Sequence, residues 1–113
     1  MAKNLIGENW CDASDGRTIK ITNPATNELI DTVPESNKLD CDKAVEAAYV
    51  AQKEWAKKPV HERASILMKF VSIVESHKDE LAKLLSDETG KPISEAIGEI
   101  ANVSIGVPAF CEK

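Results

Sequence analysis

Residues 88–100 read Glu88-Thr89-Gly90-Lys91-Pro92-Ile93-Ser94-Glu95-Ala96-Ile97-Gly98-Glu99-Ile100. Gly90 is the natural residue to close a helix, because glycine enters the left-handed conformation without a steric penalty. Pro92, just beyond it, cannot continue the same helix. The stretch is therefore a helix stop and restart. After it, Ile93, Ala96, Ile97, Ile100 and Val103 share one side of a last helix, which Pro108 is expected to kink or end. Before it, Ser76 and Asp79 fit a capping box, with Leu81, Leu84 and Leu85 expected inside. Further back, Ala64, Leu67, Val71 and Val74, flanked by Ile66, Phe70 and Ile73, make a wide apolar stripe. The first helix of the series opens at Asp40, a good N-cap, with Asp42 adding negative charge in its first turn. It carries Ala44, Val45, Ala48, Ala51, Gln52 and Trp55 at helical spacing and closes at Lys57-Lys58, before Pro59.

The N-terminal third has a different period. Leu5-Ile6 and Trp10-Cys11 flank the turn-like Gly7-Glu8-Asn9, and Asp15-Gly16 is a strong turn dipeptide. Thr18 to Thr22 alternates, with Ile19 and Ile21 on one face and Lys20 on the other. Asn23-Pro24-Ala25-Thr26-Asn27 is turn chemistry, and Leu29 to Val33 is the returning strand, stopped by Pro34. The expected class is α+β: a β hairpin-like segment within residues 1–35, then about four α-helices within residues 40–113.

Composition narrows the function. The chain has 113 residues, one domain's worth, with 42 % apolar residues and a net charge of −5. No stretch approaches the roughly 20 apolar residues of a membrane-spanning helix. Lys and Arg are scattered, and Lys57-Lys58 make no patch, so no nucleic-acid partner is expected. No apolar signal-peptide core follows Met1-Ala2-Lys3-Asn4. Cys11, Cys41 and Cys111 are odd in number and far apart, which suits free thiols in a reducing cytoplasm.

Familiar catalytic patterns are missing. No G-x-G-x-x-G occurs, and Gly90-Lys91 fails as a phosphate loop because Leu85 replaces the first glycine and Pro92 the Ser or Thr. His61 and His77 lack metal-ligand spacing. Glu62-Arg63 reads as a surface pair at a helix start, Trp10 and Trp55 as packing residues, and Cys111 as a small apolar residue.

The order of segments nevertheless resembles a known family. Ile6-Gly7-Glu8-Asn9-Trp10, Asn23-Pro24-Ala25-Thr26-Asn27-Glu28 and Asp40-x-Asp42-x-Ala44-Val45 with Trp55 form one set. Glu62-Arg63-Ala64-x-x-Leu67, Glu88-Thr89-Gly90-Lys91-Pro92 and Glu95-Ala96-x-x-Glu99-Ile100 form the second. Together they look like the N-terminal part of an NAD(P)-dependent aldehyde dehydrogenase of the succinate-semialdehyde or lactaldehyde type. The resemblance implies a segment of a larger α/β fold. It also implies a reaction in which a cysteine thiolate attacks the aldehyde, hydride passes to NAD or NADP, and the thioester left behind is hydrolysed.

In family members those catalytic and nucleotide-binding parts lie downstream, so no catalytic or cofactor-binding residue is carried onto this chain, and the chain alone is expected to be inactive. A structural Na⁺ or K⁺ is implied at the carbonyls of Ile21 and Thr22 with the carboxylate of Glu88. The alternative is that Glu88 simply ends a helix in solvent. Lys91 is expected to pair elsewhere in the whole enzyme. The implied partners are a small aldehyde and copies of the same chain. The last two long helices should have uncovered stripes prone to self-association. The competing reading is a non-catalytic helical assembly or interaction module.

Overall fold

The computed structural model describes residues 1–112. Its elements run β1 (Asn4–Ile6), β2 (Asn9–Cys11), β3 (Thr18–Thr22), β4 (Leu29–Pro34), α1 (Lys38–Lys57), α2 (Val60–Ser76), α3 (Lys78–Thr89) and α4 (Ile93–Cys111). Contacts divide the chain into two compact units. One holds residues 1–22 and 28–57; the other holds residues 23–27 and the chain from Lys58 onward.

The first unit contains two antiparallel strand pairs and α1. β1 and β2 join through Gly7-Glu8, one residue tighter than the sequence suggests, because Asn9 already pairs with Ile6. β3 and β4 pair from Thr18 opposite Pro34 to Ile21 opposite Asp31. Thr22 then faces Leu29, so a bulge falls at Ile21/Thr22. Trp10 corrects the packing expectation: it is 67 % exposed, and its cross-strand neighbour Leu5 is 56 % exposed. A two-stranded hairpin offers an aromatic little beyond that one neighbour.

The start of α1 also differs from expectation. Asp40 is not the cap; Asn37 is. The Asn37 side chain accepts the Asp40 N–H at 3.1 Å, and the Asp40 carboxylate accepts the Asn37 N–H at 3.0 Å. This is the reciprocal geometry of a capping box. The same carboxylate accepts the Ser14 N–H at 3.0 Å, which ties the helix start to the turn after β2. Asp40 is accordingly buried. The N–H donors of Asn37, then Ser14, hold its carboxyl below the ordinary carboxylate range, against the opposing effect of burial. A depressed pKa stabilises the fold at every pH above the unfolded value, near about 3.9. That contribution fades as acid takes the pH down through the folded value. Asn37→Ala is expected to cost about 1 kcal/mol, a typical N-cap loss. Urea titration at neutral pH measures it, and the same titration on the parent chain should show stability falling below about pH 4.

In the second unit α2 and α3 both pack on α4. The core is thin: Val71, Ala82 and Ala96 are its buried apolar residues. Leu84, expected inside, is 45 % exposed, and Ala82 takes the buried position on α3. The Ser76–Asp79 capping box does not form. His77 alone separates α2 from α3, so Ser76 is still helical and its hydroxyl bonds back to the Ile73 carbonyl at 2.7 Å. Pro108 does not end α4. A proline removes one N–H, yet the helix reaches Cys111, and the Pro108 carbonyl accepts the Glu112 N–H at 3.1 Å. The expected helix stop is present: Gly90 adopts φ 73° and donates its N–H to the Ser86 carbonyl.

Candidate functional site

Within the second unit two distinctive sequence segments meet. In the Asn23–Asn27 turn the Asn23 side-chain oxygen accepts the Ala25 N–H at 2.8 Å and the Thr26 N–H at 3.3 Å. That side-chain turn fixes the loop that carries Pro24. Its ring lies directly over Gly90: a Cβ there would stand 2.9 Å from Pro24 Cγ. Gly90 is thus required twice, for its left-handed backbone and for the close approach. The helix end beneath is pinned by its own hydroxyls, Ser86 to the Lys91 carbonyl and Thr89 to the Leu85 carbonyl, both at 2.6 Å.

Lys91 corrects another expectation. It does not wait for a distant partner, because its ammonium pairs with Glu99 on α4. That hydrogen bond raises the Lys91 pKa. A lysine two residues before a helix and a glutamate two turns into it can close on each other without help from outside the chain.

The three residues expected to ligate a monovalent cation are placed as follows. Ile21 and Thr22 end β3 in the first unit, opposite the extra residue Ile30 that β4 carries; Ile21 is half-buried and Thr22 exposed. Glu88 is exposed in the last turn of α3 in the second unit. Among the described residues, no group of three His, Cys, Asp or Glu side chains could hold a metal ion.

Among the described residues no dinucleotide cradle is recognisable. That motif needs a strand, a glycine turn and a helix N-terminus in succession. Among the described residues the strand-to-helix passage is β4 to α1, through Glu35-Ser36-Asn37, with no glycine. Gly90 is occupied by its contact with Pro24, and Gly98 and Gly106 lie inside α4. The cysteines are free thiols on separate elements: Cys11 on β2, Cys41 on α1 and Cys111 at the end of α4.

An open groove of about 320 Å³ lies between α2 and the end of α4, lined by Val60, Arg63, Ala64, Leu67, Val107, Phe110 and Cys111. Arg63 is the residue that sequence reasoning misplaced. It is half-buried rather than a surface partner of Glu62, and its Nε is buried without a hydrogen-bond partner. The signal was available: Val60, Arg63, Ala64 and Leu67 follow one another on a single helix face.

Comparison with known proteins gives a consistent result. The aldehyde dehydrogenase family model matches residues 10–112. The glutarate-semialdehyde dehydrogenase of Pseudomonas putida is 40 % identical over 96 % of this chain, which spans 22 % of that relative's length. The crystal structure of succinate-semialdehyde dehydrogenase from Burkholderia pseudomallei superposes with a TM-score of 0.94 at 37 % identity, over 99 % of this chain and 23 % of that one. NADP-dependent glyceraldehyde-3-phosphate dehydrogenase from Bacillus halodurans, solved with NADP, gives a TM-score of 0.94 at 27 % identity, over 98 % of this chain and 23 % of its own length. The four helices and two strand pairs described above are therefore a part of the fold those enzymes share. Among the described residues, no helix is long and apolar enough to cross a membrane.

Proposed function

The chain belongs to the aldehyde dehydrogenase family, and from that premise we propose that it is the N-terminal segment of an NAD(P)-dependent enzyme that oxidises a small semialdehyde to the acid. The observation that carries this reading is the match of 96 % of the chain to 22 % of a relative's length. Residues 1–113 act in this reading as one segment, with the cysteine nucleophile, its glutamate base and the nucleotide loop supplied by chain beyond it. NAD or NADP binds there, and no residue described here contacts it. The segment's own work is structural. Its helices, set by the Gly90 stop and the Pro24 contact, brace the rest of the enzyme.

The substrate class follows the relatives' names, glutarate- and succinate-semialdehyde dehydrogenase. The proposed setting is the cytoplasm, and the proposed assembly a homo-oligomer. The carbonyls of Ile21 and Thr22 and the Glu88 carboxylate are further proposed as ligands of a structural Na⁺ or K⁺, an oxygen-only set suited to hard cations. A Glu88→Gln protein whose thermal midpoint responds to added Na⁺ or K⁺ as the parent does would remove Glu88 from that set.

The coding sequence past Lys113 tests the main reading. It is expected to continue in frame into a glycine-containing nucleotide loop and, later, a reactive cysteine. An in-frame stop would instead favour a free-standing helical assembly module built on the same exposed faces.

A further inference from the structure

We infer that Asp15-Gly16 is a site of spontaneous backbone modification, imide formation followed by opening to isoaspartate, and that the folded chain holds this reaction off through Arg17 and Asn37. Asp15 is the only aspartate or asparagine of the sequence that precedes a glycine. Glycine has no Cβ to crowd its nitrogen, so that nitrogen reaches the preceding side-chain carbon more readily than any other residue's does. In the first step the Gly16 nitrogen bonds to Asp15 Cγ. The C–OH bond of the protonated carboxyl breaks, and the hydroxyl leaves as water with the Gly16 amide proton. In the second step water opens the five-membered imide. Cleavage at Cγ restores aspartate. Cleavage at the backbone carbonyl carbon leaves isoaspartate, with the chain running on through Cγ. One water is lost and one regained, so no other reactant is needed.

The structure engages both reacting groups elsewhere. The Gly16 N–H donates to the Ala13 carbonyl at 2.9 Å, which ties down the proton that the nitrogen has to lose. The Asp15 carboxylate is committed to other donors. Its Oδ1 accepts the Arg17 N–H at 3.0 Å; its Oδ2 accepts from Asn37 Nδ2 at 3.4 Å and stands 3.5 Å from Arg17 Nε. Such donors favour the ionised carboxyl, whereas the imide forms from the protonated one. The Arg17 N–H, and then Asn37, accordingly hold the Asp15 carboxyl below its ordinary range, against the opposing effect of desolvation. The donors are themselves anchored. The Arg17 guanidinium reaches Glu35 at 3.1 Å, and the Arg17 carbonyl accepts the Glu35 N–H at 2.9 Å. Asn37 caps α1 and bonds the Ser14 hydroxyl at 2.9 Å. Isoaspartate would undo this brace. It adds one carbon to the main chain and hangs the carboxyl directly on Cα, where it no longer matches the Arg17 and Asn37 donors.

The test ages the whole 113-residue chain in warm neutral buffer, folded and in concentrated urea, and counts isoaspartate at Asp15 by peptide mapping. A protease that cuts before aspartate leaves an isoaspartyl site uncut, and mass spectrometry assigns the position. In urea, Asp15 is expected to convert faster than any other aspartate or asparagine. In the folded chain it should convert about tenfold more slowly or less, because reaction waits on local opening of the turn. Arg17→Ala keeps the backbone N–H and loses the guanidinium. Folded, it should convert several times faster than the parent; in urea, at the parent's rate. Lys3→Ala removes a neighbouring ion pair with Asp12 and leaves the turn's own contacts, so it should age like the parent. Circular dichroism checks that each variant is folded. Equal conversion of Asp15 in the folded and urea-treated parent overturns the inference. So does a folded Arg17→Ala chain that ages no faster than its parent, or conversion in urea that spares Asp15.

Discussion

Gly90→Val is expected to remove about 2–5 kcal/mol of stability and to unravel the α3–α4 junction first. Two separate penalties act at this position. The backbone sits at φ 73°, where a β-branched residue is a conformational outlier. Any Cβ there would also stand 2.9 Å from Pro24 Cγ, and a proline ring cannot swing aside as a long side chain does. The loss is large against the roughly 5–15 kcal/mol that a domain of this size holds in total. Urea titration followed by circular dichroism measures it. Gly90→Ala should fall between the parent and Gly90→Val. Combining Gly90→Ala with Pro24→Ala should recover the part due to the overlap and leave the backbone part. An unchanged midpoint for Gly90→Val would show that Gly90 is not held between these two constraints.

The sequence made the helical half legible because its signals are local. The stop at Gly90, the break at Pro59 and the apolar periods of α2 and α4 each depend on residues within a turn or two. The alternation of Thr18 to Thr22 located β3 for the same reason. What stayed hidden depends on partners far along the chain or on competition between equally good residues. Asp40 has the right chemistry for an N-cap, but Asn37 has it too. The donor that settles their roles, the Ser14 N–H, comes from another element. The Asn23–Asn27 turn and Gly90 stand apart in the sequence as separate signals, and only folding shows that one ring rests on the other. Lys91 found Glu99 across a helix start, where simple i, i+4 reasoning does not look. Arg63 was hidden by its type. An arginine at a helix start is usually solvated, and that tendency masks its place on the Val60–Leu67 face.

The candidate cation ligands were legible only through resemblance. Backbone carbonyls have no residue signature, so composition could never single out Ile21 and Thr22. Glu88 is one of several carboxylates near a helix end, and its neighbour Asp87 is paired with Lys83 one turn back. The register shift between Ile21 and Thr22 comes from an extra residue on the opposite strand, Ile30, and a bulge of that kind has no sequence signature here.

The central proposal is that this chain frames an aldehyde dehydrogenase whose chemistry is supplied by the rest of the enzyme. The expected effect is therefore as large as an activity effect can be: complete absence. An aldehyde oxidation of this type needs a thiolate positioned on the carbonyl and a nicotinamide held beside it. The chain offers three thiols on separate elements and, among the described residues, no strand–glycine–helix unit to hold a dinucleotide. The most direct measurement is NADH or NADPH formation by the purified 113-residue chain with glutarate, succinate or malonate semialdehyde, beside a full-length relative as positive control. The account predicts no turnover above the protein-free background with either cofactor, while the relative is active in the same buffer. Cofactor reduction that scales with the concentration of the short chain would contradict it.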